Sequence, residues 1–326
     1  MSLTTDAALR SLLSDDDRAH LVEILGKRAL FDERLAPYTS WEIGGPADAL
    51  AVVETEAELA AVMRACFKRR LPWFVLGSGS NVLVGDGGIR GIVIRLAGSF
   101  AGIGVRVDDG TVVVEAGASA GMAALTTKAA SAGAIGIGSL AGIPGSVGGS
   151  LRMNAGTDRE MGDFVKSVWV QSPGKPEPHA ISLQYYYRHT SLARDAVVTR
   201  VTLAFELGEP AAVRQEMKTR LVRRKSTQPI ALPNAGSCFR NPEGDKAARL
   251  IEAAGAKGWR SGGAEVSPLH ANFINNLGGA CARDVSSLLA QVRRSVSRQF
   301  GVELQLEVHL IGVFIDESKP DDEKKR

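Results

Sequence analysis

Cysteine is scarce in this chain. Cys66, Cys238 and Cys281 form an odd, widely scattered set with neither metal-ligand nor redox-pair spacing, which excludes a disulfide scaffold and predicts free thiols in a reducing cytoplasm. An excess of charge of one sign is also missing: 39 Lys and Arg against 36 Asp and Glu leave a formal net charge of +3. Nucleic acid therefore meets no broad basic footprint, and any anion site has to be local. No window approaches the roughly 20 apolar residues of a membrane span. The N-terminus alternates charged and apolar residues instead of showing the basic-then-apolar pattern of an export leader, so neither membrane nor export is expected. No Gly-Lys-Ser/Thr sequence occurs, which argues against nucleoside-triphosphate hydrolysis through a phosphate-binding lysine loop. No internal repeat is visible. His189 has neither a neighbouring acid nor a second ligand, and no metal site is expected.

What the chain does have is size and glycine. Its 326 residues exceed what one hydrophobic core usually holds, and with 44% hydrophobic residues they predict two or three packed domains. Residues 1–36 read as a charged helical extension. A first unit over 37–98 comes next, in which Thr55 and Glu58 form a capping-box pattern and Leu59, Val62, Met63, Cys66 and Phe67 repeat at helical spacing up to Pro72. Apolar runs at 50–53, 73–76 and 92–96 supply its strands. A second unit, 99–208, holds strands at 111–115, 165–171 and 197–207, a small-residue helix around 121–132 and the densest glycine. A third, 209–312, opens with a basic helix carrying Lys218, Arg220, Arg223, Arg224 and Lys225. It continues with a helix near 246–254, a helix capped by Asp284 and ended by Gly301, and a strand over 302–310. Residues 313–326, with mixed charges and no apolar period, are expected to be a disordered tail.

Several segments carry chemistry. The stretch Leu232-Pro-Asn-Ala-Gly-Ser-Cys-Phe-Arg-Asn-Pro242 sets one hydroxyl, Ser237, on a turn framed by glycine and proline near Arg240. That suits delivery of a single proton, and it also describes an ordinary turn serine. Gly77-Ser-Gly-Ser-Asn81 comes after a predicted strand and reads either as a cradle of N–H groups for a diphosphate or as a tight surface turn. Gly136-Ile-Gly-Ser-Leu-Ala-Gly-Ile-Pro-Gly-Ser-Val-Gly-Gly149, with Glu160 beyond it, imitates a dinucleotide fingerprint. A predicted helix precedes it, however, and Pro144 interrupts the helix that the fingerprint has to open. It therefore reads better as extended backbone that a flat or phosphorylated ligand approaches without Cβ interference. Arg188, after three tyrosines, offers a planar guanidinium to a carboxylate or else stacks on tyrosine at a domain edge. Glu307 lies on the polar face of the 302–310 strand, where a solvated carboxylate is the default. Lys225 ends a basic cluster that either attracts a diphosphate or forms a wet helix face.

Taken in order, certain motifs closely resemble the UDP-N-acetylenolpyruvoylglucosamine reductase family over roughly residues 37–312. They are Ile43-Gly-Gly-Pro-Ala-Asp48, Gly77-Ser-Gly-Ser-Asn-Val-Leu-Val84, Ala141-Gly-Ile-Pro-Gly-Ser-Val-Gly-Gly149, Met153-Asn-Ala-Gly156, Tyr187-Arg188, Asn234-Ala-Gly-Ser-Cys-Phe-Arg-Asn-Pro242, Gly262-Gly-Ala-Glu-Val-Ser267, His270-Ala-Asn-Phe-Ile274 and Leu306-Glu-Val308. The resemblance implies an α+β chain: an FAD-binding module of the vanillyl-alcohol-oxidase type in two subdomains, then a C-terminal α+β substrate-binding domain. It implies non-covalent FAD between Gly77, Ser78, Gly79, Ser80 and Asn81 on one side and Gly142, Ile143, Pro144, Gly145, Ser146, Gly148, Gly149 and Asn154 on the other. NADPH is implied as reductant, and UDP-N-acetylglucosamine enolpyruvate as the substrate converted to UDP-N-acetylmuramate for peptidoglycan, by a cytoplasmic monomer. By position in the family's motifs, Ser237 matches the proton donor, while Arg188 and Glu307 match the pair that stabilises the enolic intermediate. Lys225 matches a cation on the substrate's diphosphate, and Tyr187 and Asn272 are carried over as substrate contacts.

Departures from the family's pattern stand at Tyr186, where glycine is common, within Thr157-Asp-Arg-Glu160, where a glycine pair is usual, and at Arg240, where lysine is frequent. The short link from Arg188 to Val197 places the chain in the subtype without a tyrosine-bearing insertion. Two alternatives remain for comparison. A flavin oxidase of the same fold that tethers its flavin does so through histidine or cysteine, which the glycine clusters lack. A non-catalytic nucleotide binder has no need of Ser237 or Glu307.

Overall fold

The computed structural model describes residues 9–315, and its first lobe begins earlier in the chain than the sequence pattern suggests. Ser14 and Asp17 cap α1 (Asp15–Leu25) reciprocally, each side chain accepting from the other's N–H. Leu21 and Leu25 of this helix are buried in the lobe's core. Ala29–Arg34 is then an extended strand, β1, paired antiparallel with β2 (Pro46–Val53). This corrects the helical extension expected over 1–36: β1 supplies the hydrogen bonds that β2 would otherwise lack along one side. Residues 1–8 lie outside the described residues.

Thr55 caps α2 (Glu56–Arg69) by accepting from the Glu58 N–H, but Glu58 turns its carboxylate to the Glu54 N–H and to Arg28 instead of closing the box. Leu59, Val62, Met63 and Cys66 face the core as their spacing predicts, whereas Phe67 is 66% exposed. It lies about 100° round the helix from Cys66, which already occupies the core position. The chain continues through β3 (Trp73–Val75), β4 (Val82–Val84) and β5 (Ile89–Leu96). The resulting four-stranded sheet has the order β1-β2-β5-β3, parallel except at β1.

The second lobe contains β6 (Ile103–Asp108), β7 (Thr111–Gly117), α3 (Met122–Ser131), α4 (Val147–Arg152), β8 (Val165–Gln171) and β9 (His179–Ile181). A short ribbon of β10 (Tyr185–Tyr186) and β11 (His189–Thr190) precedes the long β12 (Val197–Glu206). Five strands form an antiparallel sheet in the order β6-β7-β12-β8-β9. Val112, Val114, Val201 and Leu203 share a core with Leu125, Ala129 and Ala130 of α3. The helix α5 (Pro210–Thr227), expected to open the third unit, belongs here instead. Its buried Val213 and the adjoining Met217 pack into the second lobe's core.

The third unit comprises α6 (Ala247–Ala253), β13 (Arg260–Ser261), β14 (Ala264–Val266), β15 (Ile274–Asn276), α7 (Ala282–Phe300) and β16 (His309–Ile311). In α7 the stripe Val285, Leu288, Leu289, Val292 and Val296 is buried, and Gly301 ends the helix in the left-handed conformation, φ 68°. Asp284 is the third helical residue and not the cap; its carboxylate reaches back to the Cys281 N–H. The strand expected over 302–310 shrinks to β16, because residues 305–308 make single hydrogen bonds to residues 238 and 240 and no continuous ladder. The tail expected from 313 also begins in packed structure: the Val313 N–H donates to Gly88 O, and Phe314 lies against the third unit's core. Residues 316–326 lie outside the described residues.

The third unit is fastened to the first lobe by buried polar contacts. The fully buried Trp41 donates its indole N–H to Ile274 O at 2.7 Å, and Asn276 returns a bond to Trp41 O at 2.9 Å. Asp86, on the turn after β4, accepts from the Ala282 and Arg283 N–H groups at 2.8 and 3.0 Å, so one lobe caps the other's longest helix. Asp86→Ala is expected to cost about 1–2 kcal/mol of stability, seen as a lower denaturant midpoint at an unchanged slope.

Candidate active site

Residues 305–309 cross the junction of all three units. Their backbone is fixed at each step: Arg240 N–H to Gln305 O at 2.9 Å, Glu307 N–H to Cys238 O at 2.8 Å, and His309 N–H to Asn81 O at 3.0 Å. The Asn81 side-chain amide donates to Glu307 O at 3.1 Å. Glu307 is thereby held between the Ser237 turn and the 77–81 loop. Its side chain is only 16% exposed, which corrects the solvated carboxylate expected from strand alternation.

Arg188 arrives from the second lobe on the tight turn of the β10–β11 ribbon, with φ +55°. Its Nε lies 3.3 Å from Glu307 Oε1, its Nη1 3.0 Å from Glu160 Oε1, and its Nη2 donates to Gly156 O at 3.0 Å. The guanidinium also lies over the Tyr187 ring, 4.8 Å from its centroid. Burial pushes the Glu307 carboxyl above its ordinary value, against the opposing pull of Arg188 and Arg240. Burial raises the Glu160 carboxyl as well, again opposed by Arg188.

The two glycine loops face each other across the seam between the lobes. The Ser80 hydroxyl donates to Pro144 O at 3.2 Å, and a Cβ on Gly77 would sit 2.6 Å from Ser146 Oγ. A cavity of about 120 Å³ is lined there by Gly77, Ser78, Ser146, Gly148 and Gly149 together with Ser119. The Ser119 hydroxyl is buried with no partner among the described residues, and the glycine backbones leave no side-chain bulk. These residues fit a flat, phosphate-bearing cofactor with polar atoms to offer. Other members of the expected set are placed differently. Gly79 lies against the backbone of Tyr38 and Thr39, and Gly142 against Leu221 and Arg224 of α5. Asn154, 2% exposed, directs its whole amide to Glu160, Tyr186 O and the Gly162 N–H. It is therefore corrected from a cofactor contact to a support of Arg188.

Ser237 is partly buried, and its hydroxyl has no protein partner among the described residues. Asn272 was expected to face substrate. Its Oδ1 accepts from the Phe239 N–H at 2.9 Å and its Nδ2 donates to Phe239 O at 2.8 Å, in a residue 4% exposed. It is corrected to a brace of the Ser237 turn. Lys225 occupies the exposed last turn of α5, and the segment between it and Ser237 is shaped by Asn234, whose amide donates to Pro229 O and Leu232 O. Two site residues escaped the sequence reading. Glu160 was set aside with the false dinucleotide fingerprint. His309, two residues past Glu307, places Nε2 3.3 Å from Met153 Sδ, and its pKa is pushed down by partial desolvation with Arg240 and Arg152 nearby. Among the described residues no cluster of His, Cys, Asp and Glu fits a metal ion, and no helix is long and apolar enough to cross a membrane.

Asn272→Ala is expected to lower stability by about 1–3 kcal/mol, because it orphans the buried N–H and C=O of Phe239. Thermal unfolding measures this.

Comparison with known proteins finds two family models on the chain. A family model for an FAD binding domain matches residues 47–172, which include both glycine loops, and a model for the UDP-N-acetylenolpyruvoylglucosamine reductase C-terminal domain matches residues 228–311, which include Ser237 and Glu307. The UDP-N-acetylenolpyruvoylglucosamine reductase of Anaeromyxobacter sp. (strain Fw109-5) is 43% identical over 309 residues, 94% of this chain and 96% of that protein. The enzyme of that name from Moorella thermoacetica is 42% identical over 289 residues, 87% of this chain and 94% of that protein. The crystal structure of UDP-N-acetylenolpyruvylglucosamine reductase from Thermus caldophilus aligns with a TM-score of 0.72 at 37% identity, covering 85% of this chain and 97% of that one. With an α+β fold of two FAD-binding lobes and a C-terminal domain, the chain belongs to the UDP-N-acetylenolpyruvoylglucosamine reductase family, flavoprotein oxidoreductases of peptidoglycan precursor synthesis.

Proposed function

We propose that this protein reduces UDP-N-acetylglucosamine enolpyruvate to UDP-N-acetylmuramate, with NADPH as the source of electrons. FAD, when bound between the glycine loops, supplies the hydride that the enolpyruvyl methylene carbon accepts. Ser237, whose hydroxyl has no partner among the described residues, gives the proton to the adjacent carbon, so that hydride and proton together saturate the double bond. Of the five N–H donors of an arginine, Arg188 donates two to Glu160 and Gly156 O and lies in ion-pair contact with Glu307, which leaves N–H groups for the substrate carboxylate. Fixed donors of this kind are worth roughly several kcal/mol to charge that develops in a dry site. Glu307, whose carboxyl burial shifts toward the protonated form, donates to the enolic oxygen as negative charge accumulates there. Tyr187, stacked on Arg188, borders the substrate, and Lys225 offers its ammonium to the diphosphate.

The observation that carries this reading is the convergence of Arg188 from the second lobe with Glu307, whose own N–H is bonded to the residue after Ser237. The anaerobic experiment reduces the protein with NADPH, adds the enolpyruvyl substrate, and follows flavin absorbance and product. Rapid reoxidation with stoichiometric UDP-N-acetylmuramate is expected; flavin that stays reduced until air enters would favour an oxidase. In the same assay Ser237→Ala is expected to slow reoxidation by about 10²–10⁴-fold while reduction by NADPH stays near wild type. Equal losses in both half-reactions would remove the proton-donor role.

A further inference from the structure

Resting on the reading above, we propose that Glu160 is the positioning residue of this site, holding the Arg188 guanidinium and taking up its charge so that the proton of the carboxyl pair stays on Glu307. One guanidinium here meets two carboxyls, and a single positive charge in a partly dry site cannot hold both ionised at equal cost. The two carboxyls share this guanidinium and are coupled to each other, so the question is which of them ionises first.

Hydrogen bonding answers it. Both oxygens of Glu160 accept: Oε1 from Arg188 Nη1 at 3.0 Å and Oε2 from the Asn154 side-chain amide. That amide is itself fixed, by Gly162 N–H to its Oδ1 at 2.8 Å and by its own bond to Tyr186 O at 3.0 Å. Donors on both oxygens favour the ionised form and work against the burial that raises the Glu160 carboxyl. Glu307 has only the longer 3.3 Å contact with Arg188 Nε, and its second carboxyl oxygen has no donor among the described residues. The proton therefore resides there.

The remaining neighbours do not reverse the order. Glu307 also faces Arg240, which favours ionisation but is outweighed by burial, and the Cys238 thiol, pushed up to about 12 and so neutral. His309, at the start of β16 beside Arg240 and Arg152, has its pKa pushed down, away from a further positive charge. Burial acts most strongly on Glu160 and raises its carboxyl, Arg188 opposes this and the like charge of Asp163 adds to it, so what sets Glu160 apart from Glu307 is the pair of donors on its oxygens. The turn conformation of Arg188 is kept by the same contacts that share its charge.

The test is an infrared pH titration of the holoenzyme. The carboxylic-acid C=O band assigned to Glu307 is the one lost in Glu307→Gln. In Glu160→Gln the charge beside Arg188 is gone and the guanidinium acts on Glu307 undivided, so this band is expected to titrate about one pH unit lower. Glu160→Asp, which keeps the charge, is expected to leave it near the wild-type pH. The basic limb of substrate-driven flavin reoxidation shifts in parallel, making Glu160→Gln about tenfold slower on that limb. A band that titrates at the wild-type pH in Glu160→Gln, or that shifts equally in both variants, overturns the proposal. The infrared readout needs no turnover: a wild-type enzyme whose reduced flavin ignores the enolpyruvyl substrate would sink the functional reading and leave the Glu160 result to be judged separately.

Discussion

The return of residues 305–313 across the face of the molecule is the constraint on which the site depends. This segment accepts and donates hydrogen bonds to the Ser237 turn at Cys238 and Arg240, then to Asn81, and then runs as β16 parallel to β4 before Val313 bonds to Gly88. A short strand contributes little by itself. Its value lies in the partners, which belong to units that are far apart in the chain and would otherwise be free to move relative to one another. Because the backbone of Glu307 is bonded on both sides, its carboxyl is delivered into the junction and not to solvent.

Arg188 is the second lobe's contribution to the same point. A non-glycine residue at φ +55° carries a strain of order 1–3 kcal/mol, and three acceptors plus a stacked tyrosine over-determine its position. The acceptors come from both sides of the junction, Glu160 and Gly156 from the same lobe and Glu307 from the returning chain. Closure of the units and preorganisation of the cation are therefore one event. The burial that closure imposes is also what pushes the Glu307 carboxyl up, so geometry and protonation state have a common cause.

The glycine loops show the complementary economy. Where Gly77 meets Ser146 and Gly145 meets Ser80, an added Cβ would sit under 3 Å from a hydroxyl oxygen. Short side chains and bare backbone let the lobes approach while leaving a lined cavity with the Ser119 hydroxyl, which has no partner among the described residues. Asn81 is the link between this region and the chemistry, because the same residue closes the glycine loop and holds Glu307.

The sequence by itself determined the elements whose cause is local: the apolar stripes of α2 and α7, the Thr55 cap, the Gly301 stop, and the order of motifs that marks the family. Spacing and capping act within a few residues, so they can be read along the chain. Tertiary structure alone decided that 29–34 would be an edge strand, that α5 would join the second lobe through Val213 and Met217, and that 302–308 would be irregular. It also decided that Asn154 and Asn272 would brace backbone and side chains, and that Glu160 would share Arg188 with Glu307. Each of these depends on which partner a hydrogen-bonding or apolar group meets in the folded chain, from six residues apart for Asn154 and Glu160 to more than one hundred for Arg188 and Glu307. Burial and charge sharing are properties of that meeting, and they come into being only when the three units close.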